Sequence, residues 1–245
     1  LSQEGGERRR VRVDDPLGRP VEAEYGLLKG GKTAVIEMAE ASGIRLLKTE
    51  ELNPMKASSY GTGQLISAAL DAGAEEIVIG IGGSATVDLG LGMAQALGVR
   101  LIDKEGKSVS RGGEGLQQLQ AIDMRGLDER IKSTRIIITC DVTNTLLEAP
   151  SVFGPQKGAD ENMVRQLESE FARVGAVMES SLKKSVVDIS HGGAAGGLGA
   201  ALHAFMNAEL VNGTDYLLSR TGFHQVLSEA DVVITAEGAL DVQTQ

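Results

Sequence analysis

Residues 75–81, Glu-Glu-Ile-Val-Ile-Gly-Ile, form a short apolar run bounded by charge on one side and by glycine on the other. A run of that kind suits a strand buried on both faces, the environment of a parallel sheet covered by helices. Arg135–Asp141 (RIIITCD) reads as a second buried strand and Thr33–Ala39 (TAVIEMA) as a third, handing over to the small-residue turn Ala41-Ser42-Gly43. Helical patterns fall between them. GQLISAALDAG follows Thr62 and ends at Gly73, a good helix-terminating residue, and MAQALG precedes a further strand, VRLID. The alternation of the two periods predicts an α/β fold with a helix-covered, mostly parallel or mixed sheet.

The N-terminal segment departs from this alternation. RVRVDD, the turn Pro16-Leu17-Gly18-Arg19-Pro20 and VEAEYGLL read as a hairpin. Residues 111–130 suggest turns around a short helix, residues 161–182 a long amphipathic helix, and the segment after SVVDISHGGAAGGLG further helices. ADVVITAEG closes the pattern as a last strand. There is no internal repeat, low-complexity tract or clear linker.

Composition supports a core of Ala, Val, Leu and Ile, since 42% of residues are hydrophobic but only 3% aromatic, with no tryptophan. The 32 glycines exceed average usage of about 7% and cluster at strand and helix ends, where they permit tight turns and close backbone approach to ligands. A net charge of −10 argues against a nucleic-acid partner, which needs a phosphate-neutralising surface. One cysteine, Cys140, permits no intramolecular disulfide and suits a reducing cytoplasm. No apolar run reaches the ~18–20 residues of a membrane span, and no signal peptide is evident, so a cytoplasmic protein without a membrane partner is expected. The chain opens at Leu1 and stops at Gln245, just after a strand-and-loop motif, which reads as a piece of a longer protein.

Four strand-end or glycine-rich motifs carry candidate chemistry. In the stretch from Gly80 to Gly92, Gly82 and Gly83 let backbone N–H groups approach an anion, Ser84 and Thr86 can donate to a phosphate or carboxylate, and Asp88 can hold Mg2+ or accept a proton. A purely structural turn is the alternative. Asp141 and Asn144 follow the RIIIT strand, at the edge where open α/β sheets place ligands, although a cap or Asx turn would also explain them. Nearby, Lys157 lies between turn residues in Phe153-Gly154-Pro155-Gln156-Lys157-Gly158; it can reach phosphate oxygens, but a solvated surface lysine is the commoner case. The glycines of residues 192–199, with Gly193, Gly196 and Gly197 among them, precede an apolar helix and offer either a second anion seat or close helix packing. Glu237 and Asp241, four residues apart, can hold a metal or a substrate hydroxyl, or simply cap. Glu37 is a charge in an apolar strand and must either face solvent or serve a site. His191 has no second histidine or cysteine at metal-ligand spacing, so no zinc site is expected.

Taken in order, DPLGRP, KTAVIEMAEASG, SSYGTGQLI, GIGGSAT, CDVTN, FGPQKGA, GAAGGLGA and VITAEG resemble the bacterial-type (type I) glycerate kinase family over nearly the whole chain. The resemblance implies transfer of the ATP γ-phosphoryl group to D-glycerate with Mg2+, giving 2- or 3-phosphoglycerate. It also implies a two-domain α/β kinase of which this chain is the inserted domain. Residues 1–230 would form that domain with its flanking strands, and residues 231–245 would lead back to a partner domain absent from the chain. Oligomeric state is left open, a homo-oligomer included.

On that reading Gly82, Gly83, Ser84 and Thr86 bind substrate carboxylate or phosphate, and Asp88 is metal ligand or general base. Asp141, Asn144 and Glu237 make further catalytic, metal or substrate contacts, with Asp141 a second candidate for Mg2+. Lys157 and the segment with Gly193, Gly196 and Gly197 lie near nucleotide phosphates. The chain departs from the family where Val87 and Leu89 flank Asp88 in place of an Asn-Asp-Gly-Gly run, and where Ala236 and Ala239 replace a usual Gly and Arg. The family's N-terminal Asp-Ser-Phe-Lys and Asp-Gly-Gly-Glu-Gly motifs are not in the sequence. The rival class is a non-catalytic α/β module binding a small organic acid or nucleotide. It is favoured if Asp88 and Asp141 are both buried and satisfied by local N–H groups, and the kinase is favoured if both open onto one cleft. A dinucleotide-dependent oxidoreductase is disfavoured, because no Gly-x-Gly-x-x-Gly follows a first strand.

Overall fold

The computed structural model describes residues 6–234. Its strands are β1 (Glu7–Asp14), β2 (Pro20–Leu28), β3 (Thr33–Glu37), β4 (Glu76–Gly80), β5 (Arg100–Ile102), β6 (Ala121–Asp123), β7 (Arg135–Thr139) and β8 (Glu209–Val211). The α-helices are α1 (Ala39–Ser42), α2 (Tyr60–Asp71), α3 (Leu91–Ala96), α4 (Glu114–Gln118), α5 (Ala149–Phe153), α6 (Glu161–Leu182), α7 (Ala194–Met206), α8 (Gly213–Arg220) and α9 (Phe223–Ser228).

The main sheet runs β1-β2-β3-β4-β7-β8, antiparallel across β1, β2 and β3 and parallel from β3 to β8. This is the mixed, mostly parallel arrangement that the strand pattern predicts. Register places Ile36, Ile79 and Ile138 in one row, and Glu37, Gly80 and Thr139 in the next, at the strands' carboxyl ends. Ile36, Ile79 and Ile138 are fully buried and join the residues of α2, α3 and α7 in the core. The parallel strands therefore end together, and their loops emerge along one edge.

Helix boundaries follow local chemistry. The α6 helix starts where Asp160 accepts a hydrogen bond from the Met163 N–H at 2.8 Å, and it buries Leu167, Phe171, Val174 and Met178 at helical spacing. The α2 helix stops at Gly73, whose φ is +85°, and the Ala74 N–H reaches back to the Ala69 carbonyl at 3.1 Å.

Four elements differ from the sequence expectation. β5, the strand of VRLID, does not join the main sheet but pairs antiparallel with β6, a strand hidden in the residues 111–130 stretch that read as turns. β8 is only three residues long, too short for periodicity to reveal it. Of the expected closing strand ADVVITAEG, residues 230–234 form no strand and expose Val232 and Ile234, while residues 235–245 lie outside the described residues. Among the described residues no helix is long and apolar enough to cross a membrane.

Candidate active site

Because Gly80 and Thr139 are register partners, the loops after β4 and β7 leave the sheet side by side. The β4 loop is pinned by its neighbours: the Ile44 N–H donates to the Gly83 carbonyl and the Ala85 N–H to the Ser42 carbonyl, each at 2.9 Å. Gly83 has a φ of +70°, a conformation that side chains disfavour. At Gly82 a Cβ would meet nothing within 4 Å, so the backbone there is open to a ligand.

A cavity of about 510 Å³ lies at this edge, with Gly82, Gly83, Ser84, Asp141 and Lys157 in its walls. Small-molecule sites commonly fall between about 300 and 1,000 Å³. A second cavity, of about 620 Å³, shares Gly82, Gly83 and Thr139 with the first and includes Glu37, which is exposed. The charge in the β3 strand is thus accommodated at the open edge.

Lys157 is the main departure from a surface lysine. It is only 2% exposed, carried on a 3-10 turn of Pro155–Lys157 that ends at Gly158 with a φ of +90°. Its Nζ donates to the Ser84 Oγ at 2.7 Å and to the Thr86 carbonyl at 2.8 Å. Burial lowers its pKa to about 7, with the charge of Asp88 opposing the shift. The lysine thus stitches the loop after α5 to the loop after β4, with its nitrogen bonded to the Ser84 hydroxyl.

Asp88 does not reach the cavity. It is fully buried, with Oδ2 accepting from the Ser59 N–H at 2.8 Å, the Ser59 Oγ at 2.9 Å and the Gly92 N–H at 3.3 Å, and Oδ1 from the Gly90 N–H at 3.2 Å. Burial pushes its carboxyl above the usual carboxylate range, against the downward pull of these donors. Where a metal ligand or general base was expected, Asp88 has both carboxylate oxygens occupied and ties α2 and the start of α3 to the loop. Asp141, by contrast, is exposed in the cavity wall and accepts one hydrogen bond, from the Thr214 N–H at 3.0 Å.

The remaining expected residues divide similarly. Thr86 is buried, its hydroxyl without a partner, and contributes its carbonyl to Lys157. Asn144 does not line the cavity; its carbonyl accepts from the Gly193 N–H at 3.0 Å. The glycines of the third motif are closely packed. A Cβ on Gly196 would collide with the Thr86 carbonyl and one on Gly193 with that of Thr145, and the Gly197 N–H donates to the Gly193 carbonyl at 3.2 Å. Ala194 and Ala195, between them, do reach the cavity wall. Glu237 lies outside the described residues.

Thr139, Phe153 and Gln156 line the cavity without having been singled out from the sequence. The signal was present for each: Thr139 ends the buried strand, and the other two flank Lys157. Among the described residues no group of three or more His, Cys, Asp or Glu side chains is placed to hold a metal ion.

This geometry can be set beside known proteins. The Glycerate kinase family profile matches residues 1–245. A protein named glycerate kinase from Halalkalibacterium halodurans is 49% identical over 98% of this chain and 64% of its own length. One named glycerate 2-kinase from Escherichia coli K12 is 45% identical over 98% of this chain and 64% of its own length. The crystal structure of a provisionally named glycerate kinase 2 from Salmonella typhimurium LT2 superposes with a TM-score of 0.92 at 46% identity, covering 99% of this chain and 66% of that one. The chain thus spans about 64% of the length of these curated relatives. The order of motifs along the sequence, the sheet they close on and these matches agree, and the chain belongs to the glycerate kinase family.

Proposed function

We propose that the protein is a cytoplasmic glycerate kinase that transfers the γ-phosphoryl group of ATP to D-glycerate, giving 2- or 3-phosphoglycerate. The observation that carries this reading is the convergence of Gly82, Gly83, Ser84, Asp141 and Lys157 on one cavity at the carboxyl edge of the parallel strands. Phosphoryl transfer needs positioning and charge neutralisation more than covalent chemistry. The open backbone at Gly82 and the Ser84 hydroxyl are suited to hold a carboxylate or phosphate oxygen.

Asp141 is the described carboxylate in the cavity wall, and a single carboxylate fits Mg2+, which keeps several waters and is held largely by nucleotide phosphates. When bound, that ion supplies positive charge at the phosphates. In this reading residues 1–230 are one wall of the cleft, and a partner domain joined through residues 231–245 supplies the other; the greater length of the relatives leaves room for it.

The non-catalytic alternative draws on Asp88, which is sequestered and internally satisfied as a binding module would have it. Asp141 answers the other way, opening onto the cavity near the Ser84–Lys157 pair. A coupled ADP-release assay on the intact protein with D-glycerate, L-glycerate and related hydroxy acids, with phosphorus NMR of the product, separates the two. ADP formation with D-glycerate is expected, and binding without ADP release from any of them would refute the kinase.

A further inference from the structure

We propose that Lys157, acting through the Ser84 hydroxyl, receives the proton released when a substrate hydroxyl in the cavity is phosphorylated. The proposal rests on the kinase reading and assigns the proton acceptor that Asp88, with its oxygens turned to Ser59, Gly90 and Gly92, cannot supply.

Geometry sets the path. Ser84 and Lys157 both lie in the cavity wall, 8% and 2% exposed, and the Lys157 Nζ is 2.7 Å from the Ser84 Oγ. The second contact of Nζ, to the Thr86 carbonyl at 2.8 Å, can only be one that the lysine donates. That fixes one N–H of the nitrogen and leaves the Ser84 contact free to run in either direction. A protonated lysine donates to Ser84; a neutral one accepts from it.

Among the described residues, Asp88 favours the ammonium, the Phe153 ring centroid is 5.9 Å away, and Asp141 lies in the wall of the same cavity. Burial outweighs Asp88 and places the group near neutrality, at about 7, where a base accepts a proton and can release it again.

The substrate O–H bond breaks while its oxygen bonds to the γ-phosphorus of a nucleoside triphosphate, and the bond from that phosphorus to the β,γ-bridging oxygen breaks, releasing the nucleoside diphosphate. The substrate proton passes to the Ser84 Oγ as the serine's own proton moves to the lone pair on the Lys157 Nζ, which ends as an ammonium. Ser84 is the group in contact with substrate, and Lys157 acts through it.

The test is the pH dependence of kcat in the intact protein. The unaltered protein is expected to show activity rising with pH through an inflection near 7 and then levelling, because the neutral amine is the competent form. In Lys157→Arg, whose guanidinium stays protonated, kcat should fall by about 10²-fold or more and the rising limb should vanish. Ser84→Ala should do the same, and Ser84→Thr should restore the limb. Since an arginine in so buried a position can disturb folding, carbon-13 NMR of lysine Cε in the unaltered protein gives an independent reading. One lysine should titrate near 7, and its inflection should move in Ser84→Ala.

An unchanged pH limb in Ser84→Ala or in folded Lys157→Arg overturns the relay, as does titration of every lysine at about 10. Absence of ADP formation with any hydroxy acid refutes the kinase reading and the relay together, whereas turnover with an unaltered profile refutes the relay alone.

Discussion

Two buried ionisable residues, Asp88 and Lys157, hold the β4 loop, and their environments give them different work. The carboxylate is surrounded by donors from Ser59, Gly90 and Gly92, so it organises backbone; the lysine faces one hydroxyl and one carbonyl, so it stays chemically available. Asp88→Asn replaces one acceptor by an NH2 group that must face an N–H or O–H donor. The mismatch should cost about 1–3 kcal/mol, which calorimetry would register as a fall in Tm of several degrees at this chain length. Because Asp88 does not line the cavity, turnover measured well below that Tm should persist; a collapse of kcat with Tm unchanged would return Asp88 to the chemistry. The sequence marked both residues as notable. It could not rank them, since an acidic residue in a glycine loop looks like a ligand holder until its oxygens are found occupied, and a lysine between turn residues looks solvated until its nitrogen is found bonded to Ser84 and Thr86.

At the scale of elements, the glycine motifs serve different ends despite similar composition. In the β4 loop, Gly82 is open to the cavity, whereas Gly196 and Gly197 at the start of α7 have φ values of +66° and +90° and press against the segment Thr86–Leu89. The Leu89 N–H donates to the Gly196 carbonyl at 3.0 Å, so the α7 turn and the β4 loop form one backbone-to-backbone contact. Gly196→Ala is therefore expected to destabilise by more than about 2 kcal/mol, through positive-φ strain and collision with the Thr86 carbonyl. Equilibrium urea unfolding would measure it, and a loss under about 0.5 kcal/mol would contradict the packing role. Periodicity found α6 over its full length because its buried positions recur along one face. It missed β6 and β8, each three residues long, because so short a strand has no period and is defined by its partner.

For the whole molecule, the governing fact is that β3, β4 and β7 end in register, which lines up Glu37, Gly80 and Thr139 and gathers loops far apart in sequence around two adjoining cavities. The Gly82–Gly83 turn belongs to both. Gly82→Val should fold normally, since a Cβ there meets nothing within 4 Å, yet place methyl groups in the space a substrate would occupy. A KM for glycerate raised about tenfold or more with Tm unchanged is the expected result in steady-state kinetics; an unaltered KM would show that substrate does not approach this turn. By itself the sequence determined the buried strands, the main helices, the strand-end position of the loops and, through the order of its motifs, the family, because these depend on local pattern and on residue identity. Only the tertiary structure decided that Ser84, Asp141 and Lys157 meet while Asp88, Asn144, Gly193, Gly196 and Gly197 lie away from the cavity. Whether a polar side chain is available to a ligand depends on which distant groups already satisfy it, and those partners come from segments brought together by sheet register and packing.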